Sequence, residues 1–130
     1  MKLNGILNST ISKALSDLGH TDKIAIGDCG LPIEESKKID ISLRLGEPSF
    51  ETVLEEILKD FSVEKYIIAA EIKEQNKNQL RVIREQLPHA EEEFVSHEDF
   101  KKSLADVKWI IRTGEATPYS NIILQSKNIF

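Results

Sequence analysis

The segment Lys23-Ile24-Ala25-Ile26-Gly27 constrains the chain most, because it is a short apolar run with turn formers on both sides. Gly19-His20-Thr21-Asp22 leads into it and Asp28-Cys29-Gly30-Leu31-Pro32 leads out. Such a run predicts a buried strand. A strand buried on both faces needs helices from its sequence neighbours to cover it. Asp28 then stands at the strand's carboxyl end, the edge at which open α/β sheets bind ligands.

The rest of the chain supplies that cover. Asn8-Ser9-Thr10 can cap a helix in which Ile11, Ala14, Leu15 and Leu18 recur at helical spacing, with Gly19 placed to end it. Alternation over Lys38 to Leu43 predicts a half-buried strand, broken by Gly46 and Pro48. Phe50, Val53, Leu54, Ile57, Leu58 and Phe61 mark an amphipathic helix, and Tyr66-Ile67-Ile68-Ala69-Ala70 reads as a central strand. A charged surface helix follows over Asn76 to Leu87, ended by Pro88, and then a short strand at Glu93-Phe94-Val95. Ser96-x-x-Asp99 resembles a capping box for a helix that buries Phe100, Leu104 and Val107. Trp109-Ile110-Ile111 and Ile122-Ile123-Leu124 are strands joined by the polar loop from Thr113 to Asn121. Alternating strands and helices predict an α/β fold with a mostly parallel central sheet flanked by helices. Two short connections, Asp28 to Lys38 and the loop after Thr113, leave room for an antiparallel edge.

At 130 residues the chain reads as a single domain, 1–130. Seventeen basic and 22 acidic side chains, a formal charge of −5, are interspersed, which argues against nucleic acid as a partner. The amino terminus lacks a signal-like apolar run and no segment is apolar enough to span a membrane, so a soluble cytoplasmic protein is expected. Cys29 is the one cysteine, which excludes an internal disulfide.

Several residues could carry chemistry, each with a plainer alternative. His20 follows a predicted helix end, where it serves either as an acid/base group or as a charge complementing the helix dipole. Asp28 either meets a ligand or shapes its own turn. His97 and Lys101 share a helix face four residues apart, as a binding pair or as exposed polar groups. Tyr119 and Asn121 either offer hydroxyl and amide groups to a polyol or shape the loop, and Glu115 stands in the same position. His89 reads as a solvated turn residue, Cys29 as a small buried filler and Trp109 as core or subunit contact. Three separated histidines make a poor zinc site, and no glycine-rich loop matches a phosphate or dinucleotide fingerprint. Neither a metal nor a nucleotide cofactor is expected.

Four stretches taken together resemble the D-ribose pyranase family, whose relatives include the L-fucose mutarotases. They are Gly5-Ile6-Leu7-Asn8; Leu18-Gly19-His20-Thr21-Asp22 with Asp28-x-Gly30-Leu31-Pro32; Ser96-His97-Glu98-x-Phe100-Lys101; and Ile111-Arg112-Thr113-Gly114-Glu115-x-Thr117-Pro118-Tyr119-x-Asn121. The resemblance covers the whole chain. It implies a Rossmann-like layered fold, an isomerase acting on D-ribose without cofactor, His20 as catalytic acid/base, and Asp28, His97, Lys101, Tyr119 and Asn121 as sugar-binding residues. It also implies a homo-oligomer, a decamer of two pentameric rings with each site at a subunit boundary. The alternatives are a mutarotase acting on fucose or a related sugar, and a non-catalytic ribose-binding accessory subunit.

Overall fold

The apolar runs form six strands: β1 (Lys23–Gly27), β2 (Lys38–Asp40), β3 (Val63–Ala69), β4 (Glu91–Val95), β5 (Trp109–Arg112) and β6 (Ile122–Ser126). They join in one sheet of order β2-β5-β1-β6-β3-β4. The computed structural model describes all 130 residues, Met1–Phe130. The helices are α1 (Ser9–Asp17), α2 (Phe50–Asp60), α3 (Ile72–Gln75), α4 (Lys77–Gln86) and α5 (His97–Ser103). Polar side chains start the longer ones: Asn8 accepts from the Ile11 amide, Ser49 from that of Thr52 and Ser96 from that of Asp99. Each thereby satisfies an amide that the first helical turn leaves without a partner.

Pleating sorts the strand residues onto two faces. Ile24, Ile26, Tyr66, Ile68, Ile122 and Leu124 belong to a cluster of 19 buried residues that takes in α1, α2 and α4. Ala25, Ile67, Ile110 and Ile123 belong to a second cluster of 8, built with Phe100 and Leu104 of the α5 region. The sheet is thus covered on both faces, unequally. No helix is long and apolar enough to cross a membrane.

The structure corrects the sequence reading at three points. β6 alone runs against the other strands, and it lies between β1 and β3 rather than at an edge. The loop from Thr113 carries no helix to return the chain to the other end of the sheet, so it crosses the end of β1 and enters β6 in the opposite direction. β2 stops at Asp40 because Asp40 Oδ1 accepts the Ser42 amide at 3.0 Å, turning the chain out of the ladder. Gly19 does not close α1; Leu18 is the cap, and the left-handed residue is Thr21, at φ 70°. Trp109 takes the core alternative, packing partly buried against the larger cluster; the large exposed apolar side chains are Leu3, Leu7, Leu43, Leu45, Ile129 and Phe130, besides Met1.

Candidate functional site

Parallel strands deliver their carboxyl ends to one side of the sheet, and because β6 runs the other way its first residue arrives there as well. Asp28 follows β1 and Asn121 precedes β6, and the two meet. The Asp28 amide donates to Asn121 Oδ1 at 2.8 Å, and Asn121 Nδ2 donates to Asp28 Oδ2 at 3.0 Å. Asp28 Oδ1 accepts from the Gly30 amide at 3.0 Å. Burial pushes the Asp28 carboxyl above its ordinary range, against hydrogen bonds from Gly30, Asn121 and Leu31 and the charge of nearby His97. Asn121 is buried and committed to Asp28 at both ends of its amide, so it fixes the carboxylate whatever else it touches.

β3 and β4 are paired in parallel, so Glu71 and His97, just past their ends, also come together. The His97 amide donates to both Glu71 carboxylate oxygens, at 3.1 and 3.0 Å. The imidazole stands edge-on to Tyr119 with ring centroids 5.2 Å apart, and its Nδ1 is enclosed without a hydrogen bond. Tyr119 has φ 55°, a strained value for a bulky residue. Its loop is nevertheless held: Asn76 Nδ2 donates to the Pro118 carbonyl at 2.9 Å, and Gln79 Nε2 donates to Ser120 Oγ at 3.0 Å. Lys101 lies one turn beyond His97, paired with Glu98 at 2.7 Å, and lines a 330 Å³ cleft with Pro32, Glu34 and Lys37.

Three further side chains hold this end in shape, and only Glu115 drew notice in the sequence. Arg112 Nε and Nη2 both donate to the Cys29 carbonyl, at 3.1 and 3.0 Å, while Nη1 reaches Asp40 and Ser42. The Asp28 turn is thereby tied to the end of β2. Glu115 Oε1 accepts the Phe50 amide at 3.0 Å, and its Oε2 accepts from Thr117, which pins the loop to the start of α2. Glu71 holds His97 as described. The signal for Arg112 and Glu71 was a charged residue closing a buried apolar run, Ile110-Ile111-Arg112 and Ala69-Ala70-Glu71, a place where a solvated face is not available.

His20 lies at the other end of the sheet. It precedes β1, whose five residues at about 3.3 Å rise each hold it more than ~13 Å from Asp28. Its Nε2 is 3.3 Å from Glu64 Oε2, and 48% of its side chain is exposed. Within one chain, therefore, Asp28, His97, Tyr119 and Asn121 are brought together, with Lys101 a turn further along α5, and His20 is not.

A profile of the RbsD / FucU transport protein family matches residues 1–128. The D-ribose pyranase of Lactobacillus johnsonii is 50% identical over 131 aligned residues that cover 100% of each chain. The structure of Bacillus subtilis RbsD complexed with D-ribose matches with a TM-score of 0.95 and 47% identity, covering 100% of both chains. A fucose mutarotase in complex with L-fucose from Streptococcus pneumoniae shares the fold, with a TM-score of 0.81 at 20% identity over 95% of each chain.

Proposed function

This chain belongs to the RbsD / FucU transport protein family, and from that membership we infer that it is an isomerase interconverting the β-pyranose and β-furanose forms of D-ribose. One observation carries the reading: identity of 50% and 47% over full length holds with a D-ribose pyranase and with a ribose-complexed relative, while the fucose mutarotase, at 20%, shares the fold alone.

The reaction moves protons and no electrons. A base takes the proton of the anomeric hydroxyl, the bond between C1 and the ring oxygen breaks, and an acid protonates that oxygen. The open aldehyde rotates and closes through its other hydroxyl, which loses a proton while the carbonyl oxygen gains one. His20 is the group that takes and returns the proton, since an imidazole does both near neutral pH. Asp28, held by Asn121 and aimed by the Gly30 turn, receives sugar hydroxyls. Tyr119, packed against the His97 imidazole, offers a hydroxyl, and Lys101 an ammonium, with His97 completing that wall of the cradle.

Such a site needs two copies of the chain. The separation of His20 from Asp28 supports a boundary at which one subunit gives the acid/base and another the sugar cradle. Exposed Leu3, Leu7, Leu43, Leu45, Ile129 and Phe130 support burial against further copies; that the assembly is a decamer of two pentameric rings is what the family resemblance implies. We place the activity in the cytoplasm, in keeping with a chain of one unpaired cysteine.

Exchange NMR on ribose at equilibrium tests the function. Saturation transfer between pyranose and furanose anomeric signals should appear with protein and be absent without it. Exchange of fucose anomers alone would make this a mutarotase, and ribose binding without exchange would make it a carrier.

A further inference from the structure

His20 has one hydrogen-bonding side-chain partner, Glu64, and Glu64 occupies an irregular position in the sheet. β3 and β6 pair Val63 with Ser126 and Lys65 with Gln125, so Glu64 is the extra residue of a bulge. A bulge re-aims a side chain that regular pleating would point elsewhere. The carboxylate of Glu64 is held at both oxygens: Oε1 accepts from Gln125 Nε2 at 2.6 Å, and Oε2 faces His20 Nε2 at 3.3 Å. Those two hydrogen bonds keep the Glu64 carboxyl below its ordinary range, so it is ionised at neutral pH.

The backbone at His20 is fixed as tightly. Thr21, a β-branched residue, is kept at φ 70° while its amide donates to the Ser126 carbonyl at 3.0 Å. Asp22 Oδ2 accepts from the Gly19 amide and from Lys108 Nζ, each at 2.8 Å. Strain next to His20, a bulge beneath its partner and a carboxylate held by the Gln125 amide meet at one contact. An exposed ion pair of ordinary worth requires none of them.

Resting on the ribose reading above, we propose that Glu64, held by Gln125, is the positioning residue for His20. An ionised carboxylate only accepts, so it binds the tautomer that carries its proton on Nε2. That leaves the Nδ1 lone pair as the base for the sugar. Glu64 touches no reacting atom; it sets which nitrogen works and holds the ring while the proton moves.

The test combines kinetics with ring-nitrogen NMR of His20 in the full-length protein. Glu64→Ala should lower kcat for pyranose–furanose exchange about 10- to 100-fold, the range for losing a partner that orients a working histidine. KM should stay within about twofold, because ground-state sugar binding is untouched. Neutral His20 should show its proton on Nε2 in the wild type and a mixture of tautomers in Glu64→Ala. Gln125→Ala should shift both readouts the same way by less, and it serves if Glu64→Ala does not fold. An unchanged kcat in Glu64→Ala, or a wild-type His20 with its proton on Nδ1, overturns the proposal. A wild type that exchanges no ribose overturns the ribose reading instead, and the tautomer signals then decide the pairing alone.

Discussion

Asp28 and Asn121, 93 residues apart in sequence, bind each other through two opposed hydrogen bonds, amide to side-chain carbonyl and side-chain amide to carboxylate. The contact closes the end of β1 against the start of β6 and sets the direction of the one carboxylate that burial pushes toward protonation. Asn121→Asp would keep the acceptor for the Asp28 amide and replace the donor with an oxygen facing another oxygen. The expected result is a loss of about 2–4 kcal/mol in denaturant unfolding, because a buried donor becomes a second carboxylate, together with loss of ribose exchange. Stability equal to wild type would mean that the pair does not hold this end of the sheet.

The Asp28 carboxyl leaves a signature in stability against pH. Burial raises its folded value above the ordinary 3.8, so the folded state holds this proton more tightly than the unfolded chain does. Its contribution to stability is full below the unfolded value and is lost as pH rises through the higher folded one. Asp28→Asn cannot titrate and serves as the reference, cancelling the carboxylates elsewhere. Wild-type stability minus that of the variant should fall as pH is raised from about 3.8 upward and then level off. A difference that rises over the same range would give the shift the opposite sign.

Gly114 is the seat on which the segment from Leu43 to Pro48 rests. Its amide donates to the Pro48 carbonyl at 2.9 Å, its carbonyl accepts from Gly46, and a Cβ there would overlap the backbone carbonyls of Arg44 and Glu47. Backbone cannot yield as a flexible side chain does, so Gly114→Ala should cost about 2–4 kcal/mol and displace the adjoining loop of Tyr119 and Asn121. Ribose KM should rise. An alanine variant with wild-type melting and KM would show that the segment moves aside freely.

Mixing two impaired variants tests whether the proposed site is shared between subunits. His20→Ala alone should lower exchange about 10²- to 10⁴-fold, the usual worth of one acid/base group, and Asp28→Asn should weaken ribose binding. Refolded together, the two variants should form some boundaries that carry an intact His20 from one subunit and an intact Asp28 from the other, and activity should return. Mixed assemblies that form yet stay inactive would place both residues of each site in a single chain.

Much of this was legible from local pattern. The runs at Lys23–Gly27, Tyr66–Ala70 and Ile122–Leu124 read as strands in a sheet covered by helices, and Asn8 and Ser96 sit where helix starts require an acceptor. Motif resemblance singled out His20, Asp28, His97, Lys101, Tyr119 and Asn121. Glu64, Glu71 and Arg112 were assigned no role because a charged residue in a 30% charged chain looks solvated until its partner is known.

By itself the sequence determined what propagates over a few residues: strand and helix runs, their caps and the apolar side of each. The tertiary structure decided the central, reversed place of β6, the meeting of Asp28 with Asn121, and the distance that keeps His20 from both. Strand order is set by hydrogen bonds between segments far apart in the chain, and no local propensity encodes which edge a strand will join or which end of the sheet a side chain will reach.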